Sequence, residues 1–338
     1  MQTRGRVLGS VRSEAYARKR PLGSVRSEAC KMLPLVAECM GTAMRLHSVN
    51  GNCLHLDGGA MHGHVPKTLW ARWTACDVSN RIPLASRALL VDTGDHRVLF
   101  ETGTGAFMEP KYRERYGICE SEHVLLESLS HLGLGDEDIT DIILSHLHFD
   151  HAGGLLGVWQ EDKQPKLIFP NANVYVSRQA WDRAQQPHLR DKASFVPEVN
   201  RLLERSGRVV ILDARESLRF GELEVSFLVS NGHTPGMLCS DLRWDDSRLV
   251  FGADLIPGRS WVHLPVCMGY DRSPELVVDE KQQLLLSLAA ERAWLFYTHD
   301  PEIAASEVEY DGQQHRFRAL RCFADLRLNR TDAGTITP

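Results

Sequence analysis

The chain has 338 residues, of which 43% are hydrophobic and 25% are charged, as in an ordinary globular protein. Its formal net charge of −5 at pH 7 gives no basic footprint for nucleic acid. No apolar stretch approaches the ~18 residues that a membrane helix needs. We therefore expect neither a nucleic-acid partner nor a membrane partner, and the length suits one large α/β domain with tails.

Residues 1–31 differ from the rest of the chain, since they carry eight Arg or Lys against two Glu and lack apolar periodicity. The octapeptide at 8–15 occurs again at 22–29. Transit peptides can also be rich in Arg and Ser, but an amphipathic face and a secretory core are missing. We predict a disordered N-terminal extension over 1–31, a domain over 32–318 and a C-terminal tail over 319–338.

The eight cysteines are scattered without CxxC spacing. We expect them to be free thiols that pack in a cytoplasmic protein, because disulfides are rare in that compartment. Cys239 alone lies near a candidate metal ligand in the sequence, and we expect it to pack as well.

From residue 46 onward, alternating and periodic apolar residues predict regular structure. The pattern predicts a first strand over 46–57. It predicts a loop over the glycine-rich segment 58–67, and this segment lacks the spacing of a phosphate-binding loop. Trp70 and Trp73 predict a helix that packs in the core.

The later elements follow from the same patterns. The predicted strands cover 88–92, 98–101, 141–144, 173–177, 208–212, 223–229, 239–244, 249–254 and 294–297, with a last hairpin over 303–317. The predicted helices cover 121–132, 178–186, 196–205 and 275–291, with a polar surface segment over 187–194. Ser273 is the predicted N-cap of the last helix, and Lys281 is expected on its outward face.

Residues 145–154 follow the apolar run 142–144 and hold three His and one Asp within six positions. If His146 and His148 continue the strand, their side chains point to the same side, since the side-chain period is two. Asp150 and His151 lie beyond it and are free to face a second ion. A solvated loop has no reason to place such a cluster on a buried strand end. The spacing therefore predicts a dinuclear zinc site, because imidazole and carboxylate suit Zn²⁺.

Three further polar residues follow apolar runs. His233 lies in a turn punctuated by Gly and Pro between two predicted strands, where a ligand is expected. Asp254 ends a buried strand, and a buried carboxylate is costly unless it is paired or binds a metal. His299 follows the strand 294–297 and completes the set of candidate ligands.

The stretch 145–154 resembles the HxHxDH signature of the metallo-β-lactamase-fold hydrolases. The segments 232–236, 252–254 and 298–300 match the order of motifs in that family, and the resemblance covers about residues 46–317. Within that family, the sequence is most similar to the lactonase-like branch, which includes N-acyl-homoserine-lactone lactonases and organophosphate hydrolases. The resemblance implies an α/β fold of the αββα sandwich type.

The resemblance also implies the roles of individual residues. One zinc ion would be held by His146, His148 and His233 and the other by Asp150, His151 and His299, with Asp254 across both. Glu101 stands where the family usually carries Asp and should hold a ligand imidazole in its tautomer. The implied pocket residues are Met61, His62, His64, Trp261 and Met268, although His62 and His64 could instead be solvated loop residues.

Two cations lower the pKa of a shared water, so a bridging hydroxide would serve as nucleophile on a small-molecule substrate. Asp150 is placed to carry a proton to the leaving group. The branch favours opening of lactone rings, such as those of N-acyl-homoserine lactones, with aryl-ester or organophosphate hydrolysis as the alternative. A non-enzymatic metal-binding protein is disfavoured, because structural sites are closed and usually rich in Cys. A homodimer is compatible with the sequence.

In several homoserine-lactone lactonases, a Tyr three residues after the bridging Asp donates to the substrate carbonyl. Here that position is Pro257, which has no donor. We predict that His263 supplies the hydrogen bond, with Tyr270 as the next candidate. The alternative is that His263 is a packed or solvated residue without a catalytic role.

Overall fold

A computed structural model describes residues 44–213 and 216–329, and the predicted N-terminal extension lies outside the described residues. Within these two ranges, no helix is both long and apolar enough to cross a membrane.

Up to the end of β8, the described chain contains eight strands and seven α-helices. The strands are β1 Arg45–Asn50, β2 Leu54–Asp57, β3 Arg81–Leu84, β4 Arg87–Asp92, β5 Arg97–Phe100, β6 Asp141–Ile143, β7 Asn173–Ser177 and β8 Val209–Leu212. The helices are α1 Gly58–His62, α2 Lys67–Trp70, α3 Pro110–Tyr116, α4 Val124–Ser130, α5 Phe149–Ala152, α6 Arg178–Gln185 and α7 Pro197–Ser206.

The second half adds eight strands and one long helix. The strands are β9 Leu218–Phe220, β10 Leu223–Ser230, β11 Met237–Trp244, β12 Ser247–Phe251, β13 Trp294–Phe296, β14 Ala305–Asp311, β15 Arg316–Phe323 and β16 Arg327–Asn329. The helix is α8 Pro274–Glu291.

The strands form two mixed sheets of seven strands and a separate β2–β3 pair. The first sheet has the order β16-β1-β4-β5-β6-β7-β8, and the second has the order β15-β14-β13-β12-β11-β10-β9. The sheets meet through aromatic side chains, with the ring centroids of Phe100 and Phe251 6.2 Å apart. Helices α4, α6 and α7 contribute to the core on the first sheet, and α8 packs against β14. The predicted αββα sandwich is confirmed.

Helix α8 buries the apolar stripe that its sequence predicts, which includes Val277, Leu285 and Leu288. Lys281 lies four residues after Val277 and four before Leu285, so it belongs to the same face. The prediction that Lys281 points outward is wrong, because its side chain is fully buried. Ser273 precedes the helix as predicted, but its side chain makes no capping hydrogen bond.

Several element boundaries differ from the sequence-based expectation. The single strand expected over 46–57 is two strands, and the start of the expected loop over 58–67 is helix α1, where the Asp57 carboxylate accepts a hydrogen bond from the Ala60 N–H. Helix α3 and strand β9 were not predicted. Residues of the predicted tail continue β15 to Phe323 and then form β16, which pairs with β1. The sandwich therefore extends to residue 329.

A disulfide joins Cys53 to Cys119, with the two Cα atoms 5.6 Å apart. The expectation of free thiols is wrong for this pair. The two residues are separated by 66 positions, so no local spacing indicated the bond. Cys239 is buried in β11, and its thiol donates to the Gly252 carbonyl, as expected for a packing residue. Cys30 and Cys39 lie outside the described residues.

Candidate metal centre

The histidine-rich loop lies directly after β6 in the first sheet. The strand ends at Ile143, so His146 and His148 do not continue it, and the short helix α5 places Asp150 and His151 in its first turn. The loop can turn closely against the chain after β5 because Gly154 has no Cβ. An added Cβ there would lie 2.0 Å from the Thr102 carbonyl oxygen.

The second sheet brings the remaining candidate ligands to the same place. Strands β10 and β12 both run antiparallel to β11, and β13 runs parallel to β12, so all three end at one edge. His233, Asp254 and His299 follow the ends of these strands in turn. The backbone just before Asp254 is strained, since Ala253 has a φ of 44°.

His146, His148 and His233 form one group of buried imidazoles whose ring nitrogens lie within 4.8 Å of one another. His233 Nε2 lies 3.3 Å from His148 Nδ1 and 3.2 Å from Asp254 Oδ2. His148 therefore faces the group through its Nδ1 atom, whereas His233 faces it through Nε2.

Asp150, His151 and His299 form a second group on the other side of Asp254. The Nε2 atoms of His151 and His299 are 3.3 Å apart, and His299 Nε2 lies 3.5 Å from Asp150 Oδ2. Asp254 Oδ1 lies 3.3 Å from His151 Nε2 and 3.2 Å from His299 Nε2. The two carboxylate oxygens of Asp254 thus face different groups of imidazoles.

The donor set fits divalent cations. His146 Nε2 and Asp254 Oδ1 are buried and have no hydrogen-bond partner among the described residues, which would be costly without a ligand. The pKa values of His146 and His148 are well below the usual value, because burial and the neighbouring imidazoles both disfavour the charged ring. Neutral imidazoles with free lone pairs and adjacent carboxylates are the ligands that such ions require.

The ring nitrogens that face away from the cluster have partners that orient the imidazoles. His299 Nδ1 donates to the Ala85 carbonyl oxygen at 2.6 Å, and His146 Nδ1 lies 2.8 Å from Ser145 Oγ. These contacts direct Nε2 of both rings towards the cluster.

Glu101 supports the histidine-rich loop from the end of β5. Its Oε1 accepts the Ser145 N–H at 2.8 Å, and its Oε2 lies 3.3 Å from His151 Nδ1. The backbone of Glu101 is left-handed, with a φ of 70°. Glu101 therefore lies where it can orient His151, in agreement with the position expected from the sequence.

Asp271 is a partner of the candidate ligand His233 that the sequence did not indicate. Its Oδ1 lies 2.8 Å from His233 Nδ1, and its Oδ2 accepts the Met268 N–H at 2.7 Å. Because His233 donates through Nδ1, its Nε2 lone pair points into the cluster. Asp271 lies 38 residues from His233 and in no recognisable motif, so only the folded chain shows the contact.

A cavity of about 250 Å³ adjoins the cluster and is lined by four of the residues predicted for the pocket or the chemistry, Met61, Asp150, Met268 and Tyr270. His62 does not line it, because the ring is buried between Trp70 and Trp261, with centroids at 5.2 and 4.8 Å. His64 is exposed outside the cavity. Trp261 is also absent from the lining, and its indole N–H donates to the Met61 carbonyl, so it supports the helix that carries Met61.

His263 does not reach the cavity either. Its ring stacks on Trp73 at 5.4 Å, and its carbonyl accepts a hydrogen bond from Lys281. The prediction that His263 donates to the substrate was based on its closeness in sequence to Asp254, and the structure removes that basis. The alternative, a packed or solvated residue without a catalytic role, agrees with the geometry, since His263 is also exposed.

The structure adds lining residues that the sequence did not suggest. Among them are Leu56, Arg115, Tyr116, Phe149 and Arg190. Tyr116 packs on Phe149 with ring centroids 4.7 Å apart. Arg115 and Tyr116 belong to the unpredicted helix α3, and Arg190 lies in the segment that was assigned to the surface, so no sequence signal pointed to them.

Comparison with known proteins decides the family. Residues 81–299 match the metallo-beta-lactamase superfamily. The chain belongs to this superfamily. Among curated members, an N-acyl homoserine lactonase of Bacillus sp. is 28% identical over 228 residues, which are 63% of this chain and 77% of the relative.

Solved structures of the superfamily share the fold. A probable metal-dependent hydrolase from Staphylococcus aureus has a TM-score of 0.73 at 24% identity and covers 85% of this chain and 98% of its own. AidC, a dizinc quorum-quenching lactonase solved with a product, has a TM-score of 0.62 at 23% identity, covering 82% of this chain and 94% of its own. The protein is thus a metal-dependent hydrolase of the metallo-beta-lactamase superfamily, with histidine-rich groups suited to divalent ions.

Proposed function

We propose that this hydrolase holds two zinc ions and opens the lactone ring of N-acyl homoserine lactones. The observation that carries the proposal is the position of Asp254, whose two oxygens each face a separate group of buried imidazoles. The relatives named as lactonases support the choice of substrate. One ion would lie among His146, His148 and His233, and the other among Asp150, His151 and His299, with Asp254 between them.

When bound, the two cations supply an activated water as nucleophile at neutral pH and Lewis acidity towards the ester carbonyl. The side chains that line the cavity would orient the lactone. As water adds to the carbonyl carbon, Asp150 would accept the proton that the water loses and pass it to the ring oxygen when the ring C–O bond breaks. The products are one carboxylate and one alcohol on the same molecule.

Tyr270 is the side chain that we propose as donor to the carbonyl oxygen, in the absence of a donor at Pro257. It lines the cavity beside the cluster. Tyr270 is 41% exposed, and its partial desolvation together with the nearby Asp150 carboxylate raises the pKa of the phenol to about 12, so it keeps its proton at neutral pH. A preorganised donor of this kind stabilises the charge that develops on the oxygen.

The decisive experiment compares the purified protein on N-hexanoyl-homoserine lactone, a 4-nitrophenyl ester and a phosphotriester, with bound metal measured by mass spectrometry. We expect about two zinc ions per chain and the highest kcat/KM on the lactone. Chelation should abolish turnover, and added zinc should restore it. A clear preference for the aryl ester or the phosphotriester would replace the lactonase proposal.

The variant Asp254→Ala tests the assignment of the ligands. Removing the carboxylate between the two groups should lower both the metal content and the rate. Full metal content with full turnover in Asp254→Ala would contradict the dinuclear arrangement.

A further inference from the structure

Two arginines line the cavity in addition to the metal-binding cluster. Arg115 comes from the last turn of α3, and Arg190 from the segment between α6 and α7. Apart from Asp150, Asp254 and the histidines of the cluster, they are the charged side chains among the described lining residues. The cluster uses its own carboxylates for cations, so the remaining formal charge that faces the cavity is positive.

Neither guanidinium is neutralised within the described part of the chain. Arg115 has no hydrogen bond or ion pair there, and it lies over the ring of Tyr116 at 5.8 Å. Arg190 donates through Nη2 to the carbonyls of Gly269 at 2.7 Å and Asp271 at 3.3 Å. These acceptors are neutral, so they hold the Arg190 side chain in place while its charge stays uncompensated.

Apart from these charged groups, the cavity lining is mostly apolar. Leu56, Met61 and Met268 contribute aliphatic side chains, and the packed pair Tyr116 and Phe149 contributes aromatic ones. At about 250 Å³, the cavity lies below the ~300–1,000 Å³ of pockets for drug-sized ligands. It therefore suits a short chain rather than a long acyl tail.

We propose that Arg115 and Arg190 form an anion subsite, so that the preferred substrate is a lactone whose short acyl chain ends in a carboxylate. This inference rests on the proposed lactonase function. The ring lies at the cluster, the methylene groups lie against the apolar side chains, and the terminal carboxylate pairs with the guanidiniums. A guanidinium binds a carboxylate through two parallel N–H···O bonds, which gives both strength and orientation.

The test uses two lactones that differ in one group, N-hexanoyl-homoserine lactone and N-(5-carboxypentanoyl)-homoserine lactone. We expect wild-type kcat/KM to be higher for the acidic lactone, and the preference to weaken as ionic strength rises. In Arg115→Gln and Arg190→Gln, the ratio of acidic to neutral kcat/KM should fall about tenfold or more, since a charge-assisted contact is lost. Arg72→Gln, which removes an exposed arginine outside the cavity, is the matched control and should keep the ratio.

The outcomes separate this inference from the proposed function. Equal rates on both lactones, with the ratio unchanged in Arg115→Gln, would overturn the anion subsite and leave the lactonase proposal standing. Absence of metal-dependent turnover on either lactone would overturn the lactonase proposal. In that case calorimetry with adipate and hexanoate decides the subsite, because only adipate has a second carboxylate. Tighter binding of adipate to wild type, lost in Arg115→Gln, supports the subsite, and equal binding overturns it.

Discussion

At the scale of single residues, the cluster depends on the groups that orient its imidazoles. A histidine ligand binds a metal through one ring nitrogen, and the partner of the other nitrogen sets both the tautomer and the ring position. Asp271 is this partner for His233, and the Ala85 carbonyl is the partner for His299. Glu101 lies beside His151, where it can act in the same way. These partners should influence metal affinity although they do not touch the ions.

Asp271→Asn should weaken metal binding by about 10–100-fold. Asp271 uses both carboxylate oxygens, one for His233 and one for the Met268 N–H, whereas asparagine offers one acceptor and an NH₂ group. Zinc affinity is measured by competition with a chromogenic chelator, and Asp182→Asn on the exposed face of α6 is the control. Unchanged affinity in Asp271→Asn would show that His233 does not need this partner.

Tyr270→Phe should lower kcat on the lactone by about 10²-fold while both metals are retained, because it removes only the phenolic donor. The comparison variant is His263→Ala, which removes a ring that stacks on Trp73 outside the cavity and should turn over near the wild-type rate. Rate measurements with metal analysis distinguish the two. A slow His263→Ala with a normal Tyr270→Phe would reverse the assignment.

At the scale of elements, helix α8 supports the segment 263–271 next to the site through the buried ammonium group of Lys281. Lys281 Nζ donates to the carbonyls of His263, Leu264 and Val266 at 3.0, 3.1 and 2.7 Å. These carbonyls belong to the irregular segment that leads to Met268, Tyr270 and Asp271. A buried ammonium is costly to desolvate, but here three carbonyl oxygens stabilise it, and that of His263 also accepts the Val266 N–H at 3.0 Å.

Lys281→Met should destabilise the fold at pH 7 by about 2 kcal/mol or more, because it leaves buried carbonyls without donors. Burial lowers the pKa of Lys281 from 10.5 to about 8. Between these two values the unfolded chain binds more protons than the folded chain, so the stability due to this residue rises with pH. Denaturant unfolding should therefore show the gap between wild type and Lys281→Met widening from pH 8 to 10.5. A gap that narrows over this range would contradict the assigned pKa.

At the scale of the whole molecule, the last strand of the described chain forms the edge of the first sheet, next to the first strand. Strand β16 pairs with β1, and the Ser48 N–H donates to the Leu326 carbonyl at 2.7 Å. Leu326 is 2% exposed, so the contact buries apolar surface as well as backbone groups. The histidine-rich loop follows a strand of this same sheet, and the edge strand of the sheet comes from residues far away in sequence.

Leu326→Ala should lower the free energy of unfolding by about 3 kcal/mol, as for other buried Leu to Ala changes. Leu320→Ala is the matched control, because Leu320 is 39% exposed on β15 and should lose much less. Urea unfolding of both variants measures the difference. Equal losses would show that β16 contributes little to the sheet.

Deletion of residues 1–31 should leave metal content and rate nearly unchanged. This prediction comes from composition alone, since the segment is basic, repetitive and without apolar periodicity. Comparison of the melting temperature and kcat/KM of the full and shortened chains tests it. A marked loss of stability would mean that the repeat packs on the domain.

Local pattern was sufficient for most of the strands and the longest helix, whereas the sandwich architecture and the pairing of the candidate ligands came from the family resemblance. The strands β4–β7 and β10–β13 and the helix α8 follow from runs of apolar residues, because each buries one face or both. The seven cluster residues could be named from the HxHxDH spacing and from the order of motifs that resembles the family. For Asp254 the cost of burying an unpaired carboxylate at a strand end gave a further reason. Short elements such as α1, α3 and β16 could not be predicted from the sequence, since their formation depends on tertiary contacts.

Tertiary structure alone decided which side chains share the cavity and which orient the cluster. Asp271 and Tyr270 reach the site from a segment without regular structure, and Arg115 and Arg190 come from opposite sides of the motif in sequence. Lys281 and Cys53 were misjudged for the same reason, because charge and spacing do not show which distant carbonyls or thiols lie nearby. Periodicity reports the burial of a local face, whereas partners across the fold are set by how the two sheets pack.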